Sequence, residues 1–141
     1  MRNLVMPLLA SIALAGTAHA ATEIKGAAIL DNPCGKVAVK QMGLVNAGKI
    51  EDANKLMTRD AQEQWRNMPA NDRAMMAGMM KEMSQTEGAF ASDIKSNGVL
   101  TVDGGNATLV VKKTTKDANG TSTSTMTQKF KLDGGQCLIT R

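Results

Sequence analysis

The chain has no tyrosine, and its one histidine, His19, stands close to the N-terminus. Two residue types that carry much of acid and base catalysis near neutral pH are therefore missing from almost the whole protein. Aromatics make up 2% of the sequence, as Trp65, Phe90 and Phe130. So few rings argue against a stacking platform for nucleic acid. Cysteine occurs twice, at Cys34 and Cys137, with no C-x-x-C pair, so a thioredoxin-like redox motif is absent. Charge is close to balanced, with 17 Lys and Arg against 13 Asp and Glu. That mild basic excess suits solubility and is too diffuse to argue for nucleic acid.

What is present begins with a leader. Arg2 precedes an apolar stretch from Leu4 to Ala15, and Ala18-His19-Ala20 precedes a change to polar sequence. This is the pattern of a secretory signal peptide cleaved after Ala20, with an apolar part too short to span a bilayer. Residues 1–20 read as that signal, 21–30 as a loosely attached lead-in, and 31–141 as one domain. No later segment is apolar enough to cross a membrane, so the mature chain is expected to be soluble, and the signal peptide directs it to the periplasm. Export also suits the cysteines: two thiols in an oxidising compartment predict a Cys34–Cys137 disulfide. Closing a loop of about a hundred residues would contribute roughly 4 to 5 kcal/mol. Two buried free thiols or a redox pair are the alternatives.

The fold class expected is α+β, with N-terminal helices packed on a curved antiparallel meander of about four strands. Asn32-Pro33 opens a first helix, a capping residue followed by a proline at the first helical position. Cys34, Val37, Ala38, Gln41, Leu44 and Val45 share one face of it, and Gly48 is placed to end it. Short helices follow over Ile50–Met57 and from Thr58 until Pro69 interrupts, and Asn71 caps a fourth over Asp72–Ser84. Gly88 to Ile94 reads as a first strand. Val99–Val102, Ala107–Lys112, Thr121–Leu132 and Cys137–Ile139 continue the sheet, separated by Asp103-Gly104-Gly105-Asn106, Lys116-Asp117-Ala118-Asn119-Gly120 and Asp133-Gly134-Gly135. These Gly-rich turns tolerate the positive φ that tight reversals need.

Three segments carry a resemblance over about residues 31–140: Asn32-Pro33-Cys34 entering a helix, Leu44-Val45-Asn46-Ala47-Gly48-Lys49-Ile50-Glu51-Asp52-Ala53, and Val102 to Val111 around Asp103-Gly104-Gly105-Asn106. The chain resembles exported domains of unknown function in the nuclear transport factor two superfamily, a cone-shaped α+β fold. The resemblance implies a pocket between the first helix and the concave sheet. Ketosteroid isomerases and dehydratases of that superfamily rely on Asp, His and Tyr, and the missing Tyr and mature His leave no catalytic set to carry over. Gln136 and Cys137 stand where related domains often carry Trp.

Three kinds of chemistry remain to be weighed. Catalysis would fall to carboxylates or lysines, and Glu51, Asp52, Asp60, Glu63, Asp72, Glu82 and Glu87 read as caps and solvated faces. Asp93 is the candidate for a pocket carboxylate, though a lone one there is more often a solvated strand residue, and a non-enzyme is expected. Metal binding rests on Met76, Met79, Met80 and Met83, an i, i+3, i+4, i+7 stripe of thioethers, which as soft ligands select Cu(I). The plainer reading is that methionine, 11 residues of the chain, replaces the missing aromatics in the core. A third possibility is a partner site, with Met75 and its neighbours left exposed as an adaptable patch, or a homodimer through the sheet's outer face. Lys112, Lys113 and Lys116 read as a solvated hairpin that discourages edge pairing. The function expected is a small exported binding or accessory domain for an unidentified protein or small apolar ligand, with no cofactor. Cu(I) handling is one alternative, and an envelope inhibitor or immunity protein against a toxin or hydrolase is another.

Overall fold

The computed structural model describes residues 20–141. The expected signal peptide therefore lies, but for Ala20, outside the described residues. Five antiparallel strands form one meander in the order β1-β2-β3-β4-β5: β1 (Thr22–Lys25), β2 (Gly98–Asp103), β3 (Asn106–Asp117), β4 (Gly120–Asp133) and β5 (Gln136–Thr140). Between β1 and β2 the chain makes a 3-10 turn (Gly26–Asp31) and five helices. These are α1 (Pro33–Asn46), α2 (Ile50–Asn54), α3 (Arg59–Asn67), α4 (Ala70–Met83) and α5 (Glu87–Asn97).

The core forms where the helices meet one face of the sheet. Strand alternation sends Leu100, Ala107, Leu109, Val111, Phe130, Cys137 and Ile139 to that face, and all are buried. Ile29, Cys34, Ala38, Phe90 and Ile94 meet them from the helical side. Each large apolar side chain removed from water there contributes about 1.5 to 3 kcal/mol. Cys34 in the first turn of α1 and Cys137 in β5 are joined by the expected disulfide, with Cα atoms 5.1 Å apart.

Local signals fix the helix ends. The Asn32 side chain accepts from the Cys34 N–H at 2.9 Å. At the other end of α1, Gly48 takes φ +77° while its N–H reaches the Val45 carbonyl and that of Lys49 reaches Leu44 at 2.8 Å. This is the paired bonding of a Schellman ending. Thr58 caps α3 through the Ala61 N–H.

Three expectations need correction. Gly88 to Ile94 is not a strand but the body of α5. Thr86 caps that helix by accepting from Ala89, and Phe90 and Ile94, four apart, bury the same face. The segment from Glu87 to Asp93 holds no β-branched residue that would favour a strand. The lead-in is not loose: β1 pairs with β2 from Thr22↔Val102 to Lys25↔Val99, and Ile29 is fully buried. The fifth strand therefore comes from residues read as a tail. Finally, α4 begins at Ala70, so Asn71 lies inside its first turn and offers no side-chain cap.

Candidate functional site

The fourth helix differs from the others in what it hides. None of its residues is buried, and Met75, Met79 and Met83 are 61%, 53% and 80% exposed. Its methionine stripe does not replace aromatics in the core. Instead α4 stands off from the sheet, and its Met76, Met79, Met80 and Met83 line a cavity of about 360 Å³. Gln41, Met42 and Val45 of α1 form the facing wall, and Met126 of β4 closes the floor. Six thioether side chains from three elements thus converge on one space. Helical spacing accounts for four of them; α1 and β4 supply the other two.

Two further cavities adjoin it. One, of about 410 Å³, shares Met42, Met83 and Met126 and extends to Phe90, Asp93 and Lys113. The other, of about 480 Å³, shares Gln41 and Met80 and extends along Thr127, Gln128 and Lys129 to Arg141. Together they form a trough that follows β4 beneath α1 and α4. Gln128 Nε2 donates to Gln41 Oε1 at 2.7 Å, a link from β4 to α1 within the trough. At the α4 end, Asn46 Nδ2 donates to Ser84 Oγ at 3.1 Å, and the Gln85 N–H points at Met42 Sδ at 3.3 Å. These contacts fasten the C-terminal end of α4 to α1.

Asp93 lies on α5 rather than on a strand. Gln85 Nε2 donates to its Oδ2 at 3.1 Å, and Lys113 Nζ lies 3.8 Å from the same oxygen. A partly exposed pair of that length stabilises little, and its effect is to hold two polar groups at one end of the trough. Asp93 has no second carboxylate in its cavity lining with which to share acid and base roles. Among the described residues no three His, Cys, Asp or Glu side chains gather in a metal-ligating group. The trough therefore offers thioethers, apolar surface, three glutamines and a few charges at its ends.

The sequence reading found the α4 stripe but not its walls. Met126 was within reach, because it shares strand parity with Phe130, whose side chain faces the core. Met42 was harder to find, because it sits one position off the buried face of α1. No family model, no curated protein and no solved structure matches this chain.

Proposed function

We propose that the protein is an exported, non-enzymatic binding module whose site is the methionine-lined cavity between α1, α4 and β4. It takes a small apolar ligand or an apolar stretch of a protein partner there. The observation that carries this reading is the convergence of six methionines from three elements on a helix that contributes nothing to the fully buried core. Methionine is unbranched and polarizable, so a wall of it adapts to different apolar shapes where Leu or Phe would impose one. A cavity of this size and character is the ordinary form of a small-molecule site. The leader pattern supports export, and the disulfide belongs to an oxidising compartment. Among the described residues no helix is long and apolar enough to cross a membrane. A wall from α1 and a floor from the sheet also suit the pocket implied by the resemblance to the nuclear transport factor two superfamily.

The test is a titration with N-phenyl-1-naphthylamine, whose fluorescence rises in apolar surroundings. Saturable binding that weakens at least about tenfold in Met79→Asp or Met80→Asp supports the reading. Absence of binding, or equal binding by these variants, removes it. The same thioethers favour a second reading, a Cu(I) site, because soft sulfur donors without His or Cys select that ion. Replacing Met76, Met79, Met80 and Met83 together by Leu separates the two. Apolar binding survives that change, whereas Cu(I) affinity measured by competition with bicinchoninate does not.

A further inference from the structure

The sheet has unequal edges. Strand β1 is short and carries Glu23 and Lys25, whose charged ends lie 3.8 Å apart. Strand β5 is covered at Ile139, whose N–H donates to the Leu56 carbonyl while its own carbonyl accepts from the Thr58 N–H. Strand β3 runs beyond the end of β2 at Val111, and that extension carries Lys112, Lys113 and Lys116. Charge, shortness and covering are the usual means of keeping an edge from pairing.

Strand β4 lacks all of these over one stretch. Its pairing with β5 stops at Lys129↔Thr140, while its pairing with β3 continues to Asp117↔Gly120. The segment Gly120–Gln128 has no charged residue and no proline, and its pairing with β3 runs without a bulge. Among the described residues nothing pairs with its outer edge. Backbone direction follows from the Leu132 N–H, which bonds to Gly105 on the β3 side. Alternation then turns the N–H and C=O of Thr121, Thr123, Thr125 and Thr127 toward the open edge. The four threonines are exposed.

The open edge borders the trough. Thr127 and Gln128 line the same cavity as Met80, and Ser124 and Thr125 line the one holding Met83 and Met126. A strand laid against Thr121–Thr127, on the order of 20 Å long, would send every second side chain to the trough side, beneath α4. At the Lys129 end the cavity lining holds the cationic side chains of Lys129 and Arg141 and no acidic side chain.

Resting on the binding reading above, we propose that this edge takes up an extended segment of a partner protein as a sixth strand. The segment is apolar at alternate residues, and it carries an acidic residue at the end beside Lys129 and Arg141. Main-chain hydrogen bonds would supply affinity, and the methionines would receive the alternate side chains, as in other strand-addition complexes. A second copy of the chain fits less well. Its own β4 would present Ser122, Ser124 and Gln128 beside a single apolar residue, Met126, on the trough side, setting mostly polar side chains against methionines.

The experiment uses a fluorescein-labelled peptide alternating Leu and Thr and ending in Asp, read by anisotropy. Two controls are the same residues with the leucines in one block, and the alternating peptide N-methylated at every second amide. The alternating peptide is expected to bind at least about tenfold more tightly than either control. Hydrogen exchange at Thr121, Thr123, Thr125 and Thr127 should slow on binding. Thr123→Pro, which removes an outward N–H at a residue that lines none of these cavities and leaves the β3 ladder intact, should weaken the peptide about tenfold while naphthylamine binding persists. Equal affinity for all three peptides, or unchanged exchange at those threonines, overturns the proposal even if Thr123→Pro does not fold. A dimer in sedimentation velocity that Thr123→Pro dissolves also overturns it, by giving the edge to a second copy. Loss of peptide discrimination with naphthylamine binding intact removes strand addition alone, whereas loss of both removes the apolar site as well.

Discussion

Replacing Cys34 and Cys137 together by alanine should lower stability more than any single surface change. The bond closes a loop of 103 positions. Freeing a loop of that length gives the unfolded chain conformational entropy amounting to about 4 to 5 kcal/mol at 25 °C. Unfolding entropy of about 2.1 cal/mol/K per residue, over roughly 120 residues, is near 0.25 kcal/mol/K, so Tm should fall by about 15 to 20 °C. The bond also lies where three elements meet, since β5 is held by β4 on one side and by the Leu56–Thr58 segment on the other. Both sulfurs are buried, so brief treatment of the folded protein with a phosphine reductant should leave the bond intact until the chain opens. Calorimetric melts of the wild type and the double variant, each in oxidising and reducing buffer, make the comparison. A fall in Tm of less than about 5 °C in the double variant would refute the loop argument. It would mean that the unfolded chain is already restricted by something other than the bond.

Ile29→Ala should cost about 2 to 5 kcal/mol in urea denaturation, because the side chain is fully buried and α1, α5 and β2 all approach its turn. A loss below about 0.5 kcal/mol would return residues 21–30 to the status of a loose tail. Gly35→Ala should be worse tolerated than an ordinary helix substitution, since its Cβ would run into the Ile29 carbonyl oxygen. A loss of about 1 to 3 kcal/mol or failure to fold is expected, and a stabilised variant would show the contact to be wrong. Asn32→Ala removes the acceptor of the Cys34 N–H and should lower stability by about 1 kcal/mol in the same assay. Met79→Asp should leave Tm within a few degrees of the wild type, because the residue is 53% exposed, while apolar binding falls. A large drop in Tm would return the stripe to the core.

Legibility differed from one part of the chain to another for physical reasons. The turns and strands from Val99 onward were readable because their residues act locally: glycine at the reversals, β-branched residues between them, and side chains alternating by strand parity. The ends of α1 were readable for the same reason, through Asn32, Pro33 and Gly48. Residues 88–94 read as a strand from sequence, whereas the Thr86 cap and the four-residue step from Phe90 to Ile94 decide the helix. Residues 22–25 were missed because their partners are Val99 to Val102, more than seventy positions away. No local pattern announces a pairing of that separation. The trough was half legible. The α4 stripe follows from sequence spacing, but the distance at which α4 stands from the sheet depends on how Asn46, Ser84 and Met42 hold it against α1.

The position of the disulfide has a bearing on how the chain matures. Strands β2 to β5 pair with their neighbours in sequence, so that meander can assemble from short loops, while β1 and α1 must be brought in from the far end of the chain. Long closures are the slow ones. Cys34 enters with α1 and Cys137 waits in β5, so the two sulfurs meet only when early and late segments have found each other. Two cysteines allow a single intramolecular pairing, and there is no wrong partner to be reshuffled. Formation of the bond is thus a timestamp for the completed topology: an oxidant arriving early finds the thiols apart, and one arriving late seals a fold already made.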